Sequence, residues 1–285
     1  MLFSAIILSN TKSQSIFDMT LHCMESMIDA EKDNSTIKFE VLLIESNKQI
    51  HDSTYKFPDY VKVIIPSEDF NFHAFLNVGI KAASGDFVGL FNNDLIFQKN
   101  WFSEILKVKE KHPNVQSFCP VDYDSKFTPQ SFFNGKPYVF GYKVRRHIVG
   151  WCIIAERKLF NKTGLLDERF SFFYADDDYS LMLQKHGKKH VIVANSEVSH
   201  LESKVSKELE KKKSAFFDDV EIPEKDIPKY IYTEQNRWML ERKKLLEGHI
   251  IFHKKWGSPK KVAIKSKIGR IFIAYGLGFL NKYFM

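Results

Sequence analysis

Short apolar runs alternate with amphipathic stretches along the first part of the chain. The runs are rich in β-branched and aliphatic residues, which is typical of buried strands. These predicted strands lie at 2–8, 39–44, 61–65 and 86–91. The stretches between them are predicted helices, at 16–30, at 72–83, which ends near Gly85, and at 101–111, which is stopped by Pro113. Strands alternating with helices predict an α/β fold with a doubly wound, mostly parallel sheet.

The second part of the pattern is less regular. Residues 119–147 mix proline, glycine and aromatic residues, which predicts a long surface excursion. Residues 148–160 read as a strand followed by a short helix, 175–187 as a helix that ends at Gly187, and 190–194 as a strand. The sheet is therefore expected to continue beyond its first four strands.

A different composition begins after the last predicted strand. Residues 202–213 predict a charged outer helix, 214–235 a linker, and the stretch from Gln235 onward a basic, helical tail. The chain of 285 residues has a formal net charge of +7, and its last acidic residue, Glu247, is followed by eight basic ones. A basic tail on a balanced body predicts an anionic partner, either membrane lipid or nucleic acid, with a solvated end as the alternative.

The cysteines and the N-terminal segment indicate the compartment. Cys23, Cys119 and Cys152 are odd in number, far apart and without a CxxC pair, which argues against a disulfide framework or a zinc site. No signal peptide is evident and no apolar run reaches the length of a membrane span. A cytoplasmic protein is expected, with no transmembrane segment.

Polar residues collect where the predicted strands end. Ser9 and Asn10 follow the first strand, Glu45 and Asn47 the second, and the triplet 92–94 the fourth. Ligands of doubly wound sheets bind at these carboxyl ends, although Asn and Asp also favour turns. The chain has neither a GxGxxG fingerprint nor a P-loop. A phosphate ligand would therefore need a metal or side chains.

Two residues are candidate metal ligands. Asp94 reads either as a turn residue that caps the next element or as an oxygen ligand for Mg²⁺ or Mn²⁺. His200 reads either as a surface histidine or as a nitrogen ligand to the same metal, which would favour Mn²⁺. Residue types alone leave these alternatives open.

Three consecutive carboxylates, Asp176, Asp177 and Asp178, follow the aromatic run "FSFFY". Acidic residues are favourable at a helix N-terminus, which explains one or two of them. Asp176 and Asp178 lie about 200° apart on a helix, so they cannot share a face. One is expected to be a general base, because apolar packing and like charges raise a carboxyl pKa.

Several segments within about residues 1–205 resemble, in order, the motifs of family 2 glycosyltransferases of the GT-A fold. They are "FSAIILSN" (3–10), "FEVLLIESN" (39–47), "FLNVGIKAASGDFVGLFNNDLIFQKNWF" (75–102), "VGWCIIAERKLFNKTGLLDERF" (149–170), "FFYADDDYSLMLQKHG" (172–187) and "VSHLESK" (198–204). The resemblance implies an inverting, metal-dependent transfer of a hexose or pentose from a UDP-, GDP- or dTDP-sugar to a hydroxyl acceptor.

The resemblance also assigns residues to roles. It makes Asp176 the catalytic base, Asp94 and His200 the metal ligands, and Trp151 and Asp178 acceptor contacts. The residues implied for the nucleotide-sugar are Ser9, Asn10, Glu45, Asn47, Asn77 and Asn93.

The resemblance further implies a division of the chain. Residues 1–205 would be the GT-A domain, with a nucleotide-sugar half at 1–112 and an acceptor half at 113–205. Residues 206–285 would be a helical, basic extension.

Departures from the family pattern concern the donor side. Ala175 and Met182 stand where the family has an acid and an arginine, so donor-phosphate contacts inferred from that arginine do not carry over. Glu45 replaces the usual aspartate that reads the base, and Asn92 replaces the first acid of the metal triplet.

Other functions fit the sequence less well. A sugar nucleotidyltransferase would need a glycine-rich loop after the first strand, and a non-catalytic scaffold would be expected to lack Asp94 or Asp176. Two acceptors stay open: a bacterial surface glycan or lipid-linked saccharide, with the tail at an anionic membrane surface, and a hydroxymethylated base in DNA, as in phage-type transferases, which would work in the host cytoplasm. In the second case the tail and residues 142–147 would track phosphates.

Overall fold

The computed structural model describes residues 1–52, 54–201 and 220–285. In these described residues, nine strands form one sheet. The strands are β1 (Leu2–Ser9), β2 (Lys38–Glu45), β3 (Val61–Ile64), β4 (Phe87–Asn92), β5 (Leu95–Phe97), β6 (Val115–Val121), β7 (Tyr138–Phe140), β8 (Cys152–Glu156) and β9 (Lys189–His200). The helices of the same region are α1 (Gln14–Asp29), α2 (Phe72–Ala82), α3 (Trp101–Lys111), α4 (Lys158–Thr163) and α5 (Ala175–Lys185).

The sheet is mixed but mostly parallel. Its order is β3-β2-β1-β4-β8-β6-β9-β5, with β7 paired to β9. The first four strands of this order are parallel, as are β6 and β9, whereas β8 runs antiparallel to both of its neighbours. The prediction of a mostly parallel sheet is confirmed.

Helices cover both faces of the sheet, as a doubly wound fold requires. One apolar layer holds side chains of α1 and α3, such as Met24 and Trp101, against β1 and β4. The other holds side chains of α2, α4 and α5, such as Phe75, Leu159 and Tyr179. Helix starts follow from local sequence, because the side chains of Ser13 and Asn71 accept hydrogen bonds from the first turns of α1 and α2.

The predicted surface excursion at 119–147 is partly wrong. Its first residues complete β6, in which all seven residues are buried, and its later residues form β7 at the edge of β9. Pro120 hides this strand in the sequence, because proline normally excludes a central strand. In the structure it stands at an irregularity, where the register with β9 shifts between Pro120 and Val121.

Strand β9 is longer than predicted and its added length bears on the candidate site. It runs to His200 and pairs antiparallel with the short strand β5, which the hydrophobic pattern does not reveal. Three residues are too short a run to show alternation. This pairing places the last residue of β9, His200, next to the first residue of β5, Leu95.

The C-terminal region is helical, as predicted. It contains α6 (Lys243–Trp256), α7 (Pro259–Ala274) and short 3-10 helices that include Lys229–Tyr232 and Gly278–Tyr283. The predicted helix at 202–213 and the domain boundary near residue 205 fall within or beside residues 202–219, outside the described residues. The linker predicted at 214–235 holds two of the short 3-10 helices in its described part. The boundaries of the proposed domains stay a prediction.

The extension packs on the body of the protein through α5. Nδ2 of Asn281 donates to the carbonyl of Gln184 at 2.6 Å, and the backbone of Gly278 lies against Gly187, where a Cβ would come within 2.9 Å of the Gly187 Cα. Within the described ranges, no helix combines the length and the apolar character needed to cross a bilayer. The tail is thus part of the folded structure.

Candidate active site

Asp94 and His200 lie together because β5 pairs with the end of β9. Leu95 is the register partner of His200, and the N–H of Leu201 donates to the carbonyl of Asp94 at 2.9 Å. Oδ1 of Asp94 lies 3.3 Å from Nε2 of His200. Residues 106 positions apart in sequence therefore present an oxygen and a nitrogen at one point.

This pair fits a divalent cation as a partial ligand set. Oδ1 of Asp94 is buried and accepts no hydrogen bond from any residue that the structure describes. A buried carboxylate oxygen without a donor is costly unless a cation or another group meets it. No cluster of three or more His, Cys, Asp or Glu side chains suited to a metal occurs in the described ranges. The chain would therefore supply two ligands, and the remaining ones would come from water and a bound phosphate.

Asp122 is a second acidic side chain near this pair, and the sequence motifs do not single it out. It follows β6, is 8% exposed, and accepts a hydrogen bond from the N–H of Asp124 at 3.0 Å. Burial raises the pKa of Asp122, while a backbone hydrogen bond from His200 and the charge of that residue lower it. It was not predicted because it follows a strand that the hydrophobic pattern does not reveal.

Asp176 stands in the first turn of α5, where its carboxylate is partly buried. Burial and, to a smaller extent, the charge of the adjacent Asp177 raise the pKa of Asp176 to about 7, although the N–H of Gly150 and the charge of Arg145 oppose the rise. A carboxylate with a pKa near 7 is suited to take a proton at neutral pH. The predicted effect of apolar packing and a like charge is present here.

Gly150 fixes the position of that carboxylate. A Cβ on residue 150 would lie 2.0 Å from Oδ1 of Asp176, so any side chain there would displace it. The next residue, Trp151, stacks on the ring of His200 with centroids 5.1 Å apart and planes 12° apart. The dipeptide Gly150–Trp151 therefore connects the candidate base to the candidate metal pair. The acceptor contact of Trp151 stays a prediction, and Gly150 is a residue of the site that the motifs do not single out.

The backbone before α5 is held by the extension. Tyr174 has a left-handed φ of 64° and lies two residues before Asp176. Its hydroxyl is 2.7 Å from Nδ1 of His249, whose Nε2 lies 2.8 Å from the hydroxyl of Tyr230. Burial lowers the pKa of His249 to about 4, so the imidazole is neutral and bridges the two tyrosines as one donor and one acceptor.

Asp178 does not face an acceptor site, contrary to prediction. It is 3% exposed, and its Oδ1 accepts from Nε1 of Trp256 at 2.7 Å. Nζ of Lys255 lies 2.9 Å from Oδ2 of Asp178 and 2.8 Å from Oδ2 of Asp167. Because both of its oxygens are engaged by α6, we assign Asp178 to fastening the extension.

Glu45 does not present a free oxygen to a nucleobase, contrary to prediction. It is fully buried, and its oxygens accept from the N–H and hydroxyl of Thr11 at 3.0 and 2.7 Å and from the N–H of Asn47 at 2.7 Å. Nδ2 of Asn47 donates to the carbonyl of Thr11 at 2.6 Å. Glu45 therefore joins the loops after β1 and β2, and Thr11 is a residue of this loop pair that sequence analysis missed.

The remaining nucleotide-side predictions divide into two groups. Asn10 is exposed at the end of β1, and Nδ2 of Asn93 donates to Oγ1 of Thr20 at 2.8 Å and to Oγ of the buried Ser9 at 3.3 Å. These residues lie at the expected edge of the sheet, and their roles stay predictions. Asn77 is different.

Asn77 cannot contact a donor as predicted, because it is 1% exposed and its amide is used internally. Its Nδ2 donates to the carbonyl of Leu166 and to the carboxylate of Glu168, both at 2.9 Å, and its Oδ1 accepts from the N–H of Leu166. Asn77 thus attaches the segment before α5 to α2.

The comparison with protein families decides the class. The model for "Glycosyl transferase family 2" matches residues 16–186, which is more than half of the chain.

The chain belongs to glycosyl transferase family 2. It is 26% identical over 194 residues to the O-antigen biosynthesis protein RfbC of Myxococcus xanthus, an alignment that covers 58% of this chain and 15% of that protein. The matched region is therefore a small part of the relative's length. The predicted resemblance to family 2 is confirmed.

Solved structures with this fold support the same architecture. The chain aligns with S. aureus TarS residues 1–349 at a TM-score of 0.54 and 15% identity, covering 99% of this chain and 81% of that one. It aligns with GalNAc-T7, in a structure with UDP, GalNAc and Mn²⁺, at 0.53 and 16%, covering 70% and 44%. The mannosyltransferase PcManGT of Pyrobaculum calidifontis, in complex with GDP-Man and Mn²⁺, aligns at 0.50 and 13%, covering 99% and 84%. The predicted GT-A fold is confirmed.

Proposed function

We propose that this family 2 protein is an inverting glycosyltransferase that moves a sugar from a nucleoside-diphosphate donor to a hydroxyl group. The observation that carries the proposal is the placement of Asp176. Its pKa is raised to about 7, and Gly150–Trp151 connects it to the Asp94–His200 pair. A base and a diphosphate-binding cation site close together are what a single displacement requires.

The step balances without a further reactant. Asp176 takes the proton of the acceptor hydroxyl as its oxygen bonds to the anomeric carbon, while the bond from that carbon to the diphosphate oxygen breaks. The nucleoside diphosphate leaves with the electron pair. Attack from the side opposite the leaving group inverts the anomeric centre.

Asp94 and His200 are the residues that would hold Mn²⁺ or Mg²⁺. When bound, the cation neutralises charge on the departing diphosphate. The chain's own residues support this arrangement, because Trp151 packs flat on His200 and β5 holds Asp94 next to it. Ser9, Asn10 and Asn93 lie at the sheet edge where we place the donor nucleotide.

For the acceptor we propose a bacterial surface glycan or lipid-linked saccharide at the cytoplasmic face of the membrane. The likeness to an O-antigen biosynthesis protein supports a glycan. A hydroxymethylated DNA base is the alternative acceptor. A screen that offers UDP-, GDP- and dTDP-sugars with lipid-linked glycan and with hydroxymethylated DNA in parallel tests the proposal. Transfer to the glycan alone would support it, and transfer to DNA alone would overturn the acceptor assignment.

Loss of the cation site should weaken donor binding. We expect Asp94→Ala to lower the affinity for a nucleotide-sugar roughly 10–100-fold, and chelator to lower the affinity of the wild-type protein by a similar factor. Calorimetric titration of the donor with and without Mn²⁺ measures both effects without any need for turnover.

The control for the cation prediction is Asp59→Ala, which removes an exposed carboxylate elsewhere and should change nothing. Unchanged donor affinity in Asp94→Ala and in chelator would contradict the metal role while leaving the role of Asp176 untouched.

A further inference from the structure

An exposed apolar stripe runs along α7. Ile264, Ile268, Ile271 and Tyr275 are 59%, 37%, 46% and 79% exposed. Their spacing of four, three and four residues places them within about 60° of one another around the helix axis. Four large apolar side chains in one row differ from the scattered exposed residues that are normal on protein surfaces. We call this row the α7 stripe.

The opposite face of α7 is occupied by this chain. Gly269 and Ile273 are buried, and the hydroxyl of Ser266 donates to Oε1 of Gln184 on α5 at 2.9 Å. Nδ2 of Asn281 also donates to the carbonyl of Gly269 at 3.1 Å. Because these contacts fix the rotation of the helix, the α7 stripe is held outward and cannot be buried by a simple roll of α7.

Cations surround the α7 stripe. Lys260, Lys261 and Lys267 project within about 70° of its centre line on the same helix and are exposed. Arg270 and Lys282 are exposed nearby. No acidic residue follows Glu247 in the sequence, so no negative charge of this segment offsets them.

The structure also narrows the set of cations that the sequence analysis assigned to docking. Three of the eight basic residues after Glu247 have partners in other segments of the chain, whereas Arg270 donates to the carbonyl of Ser266 within its own helix. Lys255 pairs with Asp167 and Asp178, Lys254 pairs with Asp226 at 3.1 Å, and Lys265 donates to the carbonyls of Trp256 and Met285. The other five basic residues are exposed, and three of them flank the apolar row.

We propose that the α7 stripe and its flanking lysines dock on an anionic membrane surface. An apolar row edged by cations is the pattern of a helix that lies in the membrane interface, where apolar side chains enter the acyl boundary and lysines meet acidic headgroups. Each lysine near such a surface contributes about 1 kcal/mol. A nucleic acid would use the cations and leave the isoleucines in water, which is why lipid fits the whole surface better.

This docking goes beyond the proposed transfer reaction but has a consequence for it. Because α7 packs directly on α5, a membrane under the α7 stripe would lie close to the helix that carries Asp176. Phe279 and Tyr283, which are 62% and 75% exposed beyond the end of α7, extend the apolar surface.

Vesicle sedimentation of the full chain tests the docking proposal. The vesicles are made of phosphatidylcholine and phosphatidylglycerol in equal parts, with pure phosphatidylcholine as the neutral comparison. We expect binding to the anionic vesicles. The triple variant Ile264→Ser, Ile268→Ser, Ile271→Ser should bind at least about tenfold more weakly at low and at high salt, because it loses apolar burial.

A charge variant completes the design. We expect the triple variant Lys260→Gln, Lys261→Gln, Lys267→Gln to bind at least about tenfold more weakly than the wild type at low salt. This difference in vesicle affinity should become smaller as the salt concentration rises. The matched control, Tyr60→Ser, removes a side chain that is 48% exposed outside the extension and should bind normally. The Asp176→Asn variant should bind vesicles as the wild type does, so failure of docking and failure of transfer are separate results.

Three outcomes would overturn the docking proposal. The first is equal vesicle binding by the wild type and the isoleucine variant. The second is no vesicle binding together with salt-sensitive binding of duplex DNA that depends on the lysines alone. The third is self-association of the wild type, measured by sedimentation velocity, that the isoleucine variant abolishes while vesicles are not bound.

Discussion

We expect Asp176→Asn to lower kcat for sugar transfer by roughly 10²–10⁴-fold while leaving the affinity for the nucleotide-sugar nearly unchanged. The asparagine keeps the shape of the side chain and can accept from the N–H of Gly150, but it cannot take a proton. Single-turnover transfer and calorimetric donor titration measure the two properties separately.

The neighbouring carboxylate of Asp177 provides a control for the assignment of Asp176 as the base. Asp177 raises the pKa of Asp176, so Asp177→Asn should lower it and move the acidic limb of the pH–rate profile to lower pH, with kcat at its plateau retained. Loss of transfer in Asp177→Asn together with normal transfer in Asp176→Asn would show that Asp177, and not Asp176, is the base.

The pH dependence of the wild type follows from the same pKa. Because the proposed base must be ionised, transfer should rise with pH and reach half of its maximum near pH 7. Arg145 and Asp177 act on Asp176 in opposite directions, so substitution of either should move this midpoint, to higher pH for Arg145→Gln and to lower pH for Asp177→Asn. A flat profile between pH 5 and 8 would contradict the role of Asp176.

The base should also destabilise the fold. Its pKa in the folded state is above the ordinary value of an aspartate, so its favourable contribution is present at low pH and is lost as pH rises through about 7. The free energy of unfolding of Asp176→Asn should therefore be about 1–3 kcal/mol higher than that of the wild type at pH 8. At pH 4 we expect no such difference. Denaturant unfolding at the two pH values measures the difference.

The helices and strands with a clear hydrophobic pattern of their own could be predicted from the sequence. The helix at 101–111 has the bounds that its spacing predicts, and the parallel strands β1, β2 and β4 lie within one or two residues of the predicted runs. Each of these segments is buried on a defined face, so its own hydrophobic pattern carries the information.

Other features depend on contacts between distant segments. Strand β6 was hidden by Pro120, and β5 is stabilised by pairing with β9 rather than by a pattern of its own. Glu45 and Asn77 occupy positions that the family motif assigns to the donor, yet both have buried side chains whose hydrogen bonds join separate loops. A motif gives residue types and spacing, whereas the partners of a side chain are set by the fold.

The C-terminal extension is where the structure adds most to the sequence-based prediction. Its charge alone predicted a docking tail, but its inner side holds the loop and helix of the candidate base. His249 contacts Tyr174, Gly248 lies against the backbone of Phe173, and Trp256 contacts Asp178. Deletion of residues 261–285 would uncover α5, so truncation cannot test docking separately from stability, and point substitutions on the outer face are needed.

The ammonium group of Lys255 has the largest expected effect on stability. It lies 2.7 Å from Oδ1 of Asp178 and 2.8 Å from Oδ2 of Asp167, and the side chain of Asp178 is 4% exposed. Lys255→Met keeps the aliphatic stem and leaves a buried carboxylate whose remaining donor is Trp256. We expect a loss of about 3 kcal/mol in the free energy of unfolding, at the lower end for a broken buried pair because Trp256 still donates.

A second substitution separates the charge of Asp178 from the packing of Lys255. Asp178→Asn in the Lys255→Met background removes the uncompensated carboxylate and should recover about half or more of the lost stability, whereas Asp178→Asn alone should destabilise the wild type. The matched control is Lys254→Met, which removes an exposed pair with Asp226 and should cost less than about 1 kcal/mol. Denaturant unfolding of the four variants and the wild type measures the coupling. Equal stability of Lys255→Met and Lys254→Met would mean that the extension is held on α5 by apolar packing alone, and that the buried Asp178–Lys255 pair does not fasten it.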